Sequence, residues 1–71
     1  MVMEDDYGQR LKVFLDKHIP IHIKTNSDEW INGFVNEVGS TFAIISEFKK
    51  GLVLVFFKDI YFLETYTKVE K

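Results

Sequence analysis

The sequence predicts a mainly β fold in which an N-terminal α-helix precedes a five-stranded, strongly bent antiparallel small barrel. Three observations carry that expectation. A single apolar stripe at helical spacing opens the chain, and five short apolar runs succeed it between Ile19 and Leu63, broken only by brief polar turns. The last two runs are separated by Lys58 and Asp59 alone. So short a junction favours a sharp corner in a bent ribbon over a crossover, which needs a dozen or more residues.

The helix is expected over about residues 5–17, because Tyr7, Leu11, Phe14 and Leu15 fall on one stripe while Gln9, Arg10, Lys12 and Asp16 occupy much of the remainder. Acidic residues at its start and Lys17 with His18 at its end suit the helix dipole, and Pro20 cannot continue it. Strand one comes next over 19–25, with Ile19, Ile21 and Ile23 on one face and Pro20, His22 and Lys24 on the other. Asn26-Ser27-Asp28-Glu29 is a polar turn.

Strand two, residues 30–38, places Ile31, Gly33 and Val35 on one face and Trp30, Asn32 and Phe34 on the other. A glycine inside a strand marks a bend or a close backbone approach. Gly39-Ser40 turns into strand three over 41–48, and Lys49-Lys50-Gly51 forms a hairpin loop. Strands four (52–57) and five (60–64) follow, their apolar runs 52–57 and 60–63 barely containing a polar residue, and the polar tail 65–71 is expected to fray. An open meander with the helix packed across it is the alternative to the barrel.

The 71 residues leave room for one domain, residues 1–71 with the barrel over about 19–64. A chain of this size buries only roughly 60% of its unfolded surface and cannot hide both faces of such strands. A second copy is therefore expected to cover them, the more so because the chain has no cysteine to staple it. No apolar run approaches a membrane span, and the acidic start has no signal-peptide character. A cytoplasmic location is expected. The net charge of −2 argues against gripping nucleic acid by bulk electrostatics, so any such contact must be local.

His18-Ile19-Pro20-Ile21-His22-Ile23, the glycine-bearing Ile31-Asn32-Gly33-Phe34-Val35 and Val55-Phe56-Phe57-Lys58-Asp59-Ile60 together resemble the Sm-like superfamily of small, SH3-like barrels. Within it the pattern is most similar to the bacterial Hfq RNA chaperones, whose first strand carries a Val-Pro-Val pattern after a basic residue and whose second motif reads valine, tyrosine, lysine, histidine, alanine. The likeness runs from the helix to Leu63. It implies a closed homo-oligomeric ring of about five to seven subunits. Strand four of one copy would pair with strand five of the next, so that Leu52, Val53, Leu54, Val55, Phe56, Ile60, Tyr61 and Phe62 form the interface. It also implies single-stranded RNA, or alternatively DNA, bound near the pore by Thr41, Ala43, Phe57, Lys58 and Asp59.

The chain departs from the family pattern at several of these positions. Ala43 stands where Sm proteins have asparagine, Thr41 where Hfq has an aromatic residue, Gly39 for an aspartate and Asp59 for a histidine. Uridine recognition of the usual kind is not implied.

Each feature also has a plain structural reading. Phe57 beside Lys58 could stack a base and meet its phosphate, or pack in the core with Lys58 as a surface charge. Trp30 and Phe34 form either a docking patch for a partner protein or packing beneath the helix. Lys49 and Lys50 are a basic rim or a soluble loop. No cofactor is called for. His18 and His22 flank Pro20 and lack a third ligand, so no metal is expected, and no catalytic signature is present. The chain reads as a non-enzyme, either an RNA-binding ring or a small-barrel protein-interaction module.

Overall fold

The computed structural model describes residues 7–67, and the chain runs helix α1 (Tyr7–Lys17), strands β1 (Ile21–Thr25), β2 (Trp30–Val38), β3 (Phe42–Glu47) and β4 (Gly51–Phe56), a one-turn 3-10 helix (Phe57–Asp59) and β5 (Ile60–Thr65). The mainly β fold expected from the sequence is the one observed. Residues 5 and 6, the acidic start of the expected helix, and residues 68–71 of the expected tail lie outside the described residues.

Helix α1 ends where the sequence predicts, through a paired closing motif. The His18 N–H donates to Leu15 O at 3.2 Å and the Ile19 N–H to Phe14 O at 3.0 Å, with His18 in the left-handed region at φ 57. These bonds satisfy carbonyls that the helix end would otherwise leave open. A histidine stands where glycine is usual, and its ring stacks on Phe34 at 4.3 Å. The apolar stripe is real: Leu11 is fully buried, and Tyr7, Phe14 and Leu15 pack against the core. Arg10 ties the helix to the sheet through a hydrogen bond from Nη2 to Leu63 O at 2.9 Å.

All five strands are antiparallel, in the order β4-β3-β2-β1-β5. The alternation read from the sequence sets the faces. Ile21, Ile23, Ile31, Val35, Ala43, Ile45, Val55, Ile60 and Leu63 point inward to one core beneath α1. Each large aliphatic side chain among them contributes about 1.5–3 kcal/mol on burial.

Two register shifts bend the sheet, one between Val35 and Glu37 on β2 and one between Lys24 and Thr25 where β1 meets β5. An extra residue in one strand increases local twist and re-aims the side chains beyond it. The sheet curls without closing. Strands β4 and β5 are its two ends, each paired along one side only.

The chain after β5 departs from expectation. Thr65 pairs with Ile21, the Tyr66 N–H donates to Pro20 O at 2.9 Å, and the Tyr66 ring packs on Phe48 at 5.4 Å. Cross-strand partners hold these two residues, so the fraying expected from residue 65 onward does not begin there. Among the described residues no helix is long and apolar enough to cross a membrane.

Candidate functional site

The corner between β4 and β5 is the short 3-10 turn Phe57–Asp59, and neighbours on both sides hold it. The Phe57 N–H donates to Thr41 O at 2.9 Å, just before β3. On the other flank the Asn26 N–H donates to Asp59 O at 2.8 Å and Asn26 Nδ2 to Lys58 O at 3.1 Å. The corner thereby brings residues 26, 41 and 58 together, although the sequence scatters them.

A cleft of about 720 Å³ opens beside this turn, lined by Tyr7, Ser40, Thr41, Phe56, Phe57, Lys58 and Ile60. Its chemistry is mixed. Aromatic surface comes from Tyr7, Phe56 and Phe57, two hydroxyls from Ser40 and Thr41, and one cation from Lys58. Phe57 answers to both of its readings, since it packs against the core and also lines the cleft, half-buried.

Of the five residues expected to bind nucleic acid, Thr41, Phe57 and Lys58 share this cleft. Asp59 lines a second cleft of about 400 Å³, together with Asn26, Ser27, Glu29, Val53 and Val55. Ala43 is a correction: it is fully buried, paired with Val38 and Val55, because its phase on β3 points inward with Ile45. Ala43 presents no surface to a ligand. Tyr7, Ser40 and Asn26 escape a reading of the sequence as site residues. Tyr7 is visible there only as part of the helical stripe, and Asn26 only as a turn residue.

Lys49 and Lys50 sit at the far end of the β3–β4 hairpin from the corner, with the whole length of β4, roughly 16 Å by strand rise, in between. Their backbone N–H groups donate to Glu47 Oε1 at 2.8 and 2.9 Å, and the Asn32 N–H donates to Glu47 Oε2 at 3.1 Å. Burial pushes the Glu47 carboxyl up, but these three backbone donors and the Lys50 charge outweigh it and hold the group below its ordinary range. Nothing in the spacing of the chain signals this buried acid.

The expected interface residues divide by strand phase. Leu52, Leu54, Phe56 and Tyr61 are exposed on the open ends of the sheet. Val55 and Ile60 are buried in the chain's own core, so their side chains belong to the core and not to the expected interface, whereas Val53 is half-buried, packed against the core on one side and lining the second cleft on the other. Phe62 is half-buried on the outer face.

That outer face carries linked aromatic rings. His22 stacks on Trp30 at 4.4 Å, Phe62 meets Trp30 edge-on at 5.6 Å, and Phe34 and Tyr66 each contact Phe48. His22 Nδ1 also hydrogen-bonds to Asn32 Oδ1. Lys24 Nζ lies 5.3 Å from the Trp30 ring centre and 3.2 Å from Asp28. Trp30 keeps 44% of its surface open to solvent.

Among the described residues no three His, Cys, Asp or Glu side chains gather as a metal ion would need. No protein-family model matches the chain, and no curated protein matches it either.

Proposed function

We propose that the protein is an Sm-like subunit that assembles into a homo-oligomeric ring and binds single-stranded RNA at the β4–β5 corner, without catalysing a reaction. The observation that carries this reading is the meeting of Thr41, Phe57 and Lys58 in one cleft, directly beside an edge strand that has one side unpaired and exposes Leu52, Leu54 and Phe56 on its outer face.

The chemistry suits a single strand. An aromatic face stacks on any base and is worth about 1–3 kcal/mol per base. Lys58 supplies the charge for a phosphate, and the Ser40 and Thr41 hydroxyls can donate to or accept from a base edge or sugar. Because the net charge is −2, affinity must come from this local set, repeated by symmetry. The free outer edges of β4 and β5 supply a route to that symmetry. A β4 side of one copy laid on the β5 side of the next is a head-to-tail contact, which generates rings when the rotation closes.

Light scattering and fluorescence anisotropy test the reading together. The expected molar mass is about five to seven times that of one chain. Labelled U-rich, A-rich and mixed RNA oligonucleotides, with DNA counterparts, are expected to bind at low salt. Lys58→Ala is expected to weaken binding several-fold and to reduce the log–log salt slope by about 0.7 for each phosphate it no longer neutralises. A monomer, or an assembled protein that binds none of the oligonucleotides, overturns it. A second reading, docking of a partner protein on the outer face, is favoured by the exposure of Trp30, and Lys58→Ala would leave such capture intact.

A further inference from the structure

We infer that Asn26 is the positioning residue of the corner site, fixing the backbone from which Lys58 reaches its ligand; this rests on the RNA-binding reading of that cleft. A three-residue 3-10 turn has little internal hold, and here its internal bond runs from the Ile60 N–H to Phe57 O. The other two carbonyls of the turn, Lys58 O and Asp59 O, both accept from Asn26, one from its side-chain amide at 3.1 Å and one from its backbone at 2.8 Å. One residue, 32 positions away from Lys58 in sequence, therefore satisfies both.

The elements around Asn26 are arranged to present it. The register shift between Lys24 and Thr25 places Thr25 opposite Ile60 and swings the next residue toward the corner. Behind it the turn is closed on itself. The Thr25 N–H donates to Glu29 O at 2.9 Å, the Asp28 N–H to Thr25 O at 2.9 Å and the Glu29 N–H to Thr25 Oγ1 at 3.1 Å, with Asp28 at φ 69. Asn26 thus reaches the corner from a rigid support. Lys58, by contrast, makes no ion pair among the described residues, so the direction of its side chain depends on the backbone that carries it.

A positioning role predicts dependence on Lys58, which a general loss of stability does not. Asn26→Ala keeps its backbone bond to Asp59 and removes only the amide donor. With Lys58 present it is expected to weaken binding of a U-rich RNA oligonucleotide about fivefold, the scale of one hydrogen bond. In a Lys58→Ala background it is expected to add less than about 1.5-fold, the non-additivity of a coupled pair. Hydrogen exchange at the Ile60 amide is expected to rise about tenfold in Asn26→Ala, while amides of β2 and β3 hold their rates. Equal losses in both backgrounds, or no loss where wild type binds, overturns the inference. If wild type binds no oligonucleotide, the RNA reading falls separately, and Ile60 exchange still decides: an unchanged rate shows that Asn26 does not hold the corner.

Discussion

Gly33→Ala is expected to abolish the cooperative unfolding transition or to lower the melting temperature by more than about 12 °C, the shift that about 3 kcal/mol makes in a domain this small. A Cβ at position 33 would lie 2.0 Å from Ser46 O and 2.8 Å from Glu47 Cα. Both are backbone atoms, so no side chain can rotate away to make room. Gly33 pairs with Ile21 on one side and Glu47 on the other, in the middle strand of the sheet. Relief on one side therefore breaks the ladder on the other. Overpacking costs about 1–3 kcal/mol even where side chains can adjust, and a chain of this size has only several kcal/mol of stability to lose. Thermal melts by circular dichroism at matched protein concentration check it. A variant melting within about 5 °C of wild type would show that β2 and β3 have room to separate at Gly33.

The second large effect belongs to Glu47. Glu47→Ala strands three backbone donors, those of Asn32, Lys49 and Lys50, at a residue that is only 7% exposed. An unsatisfied buried donor costs about 1–3 kcal/mol, and solvent reaching the turn will offset part of the sum. We expect a loss of about 3 kcal/mol by urea unfolding at pH 7. Glu47→Gln, which keeps one acceptor, should lose less.

The same geometry fixes a pH dependence. The folded carboxyl has a lowered pKa, so in acid the unfolded chain binds the proton more readily. Its stabilisation is complete above the unfolded value of about 4.3 and is lost as pH falls through the folded one. Urea midpoints from pH 7 down to 3 should fall for wild type and fall less steeply for Glu47→Gln. Parallel slopes for the two proteins would remove Glu47 from the acid response.

Periodicity made most of this fold readable. Ile21 and Ile23 inward with His22 and Lys24 outward, the Leu11 stripe, the helix stop before Pro20 and the Lys58-Asp59 corner arise from patterns of two, of three to four, and from one short junction. Strand β4 shows where pattern runs out. Its residues are apolar on both phases, so the chain alone does not say that Val53 and Val55 turn inward while Leu52, Leu54 and Phe56 face out. The neighbouring strand decides that.

The candidate site was legible only in part, for the same reason. Phe57 and Lys58 announced themselves by adjacency, whereas Tyr7 and Asn26 reach the corner through the helix dock and a register shift, which no local spacing encodes. Ala43 shows the opposite failure. Family likeness drew it toward the site, and its strand phase sends it into the core. Glu47 sits on an inward phase where an apolar residue would be expected, and only the turn it holds explains it.

The pairing of β1 with β5 has a kinetic consequence. Residue 21 meets residue 65, so the first strand made waits for the last one before its outer side is covered. Closing so long a loop costs about 2 kcal/mol more entropy than closing a hairpin of about four residues, and contacts of this range slow folding. During synthesis the β1–β4 meander emerges first, with the slot for Ile60 and Leu63 still empty. In that interval the β5 segment of another nascent chain can fill the slot as well as the chain's own. Crowded refolding should therefore favour exchanged dimers, and dilute, slow refolding should favour the single-chain fold.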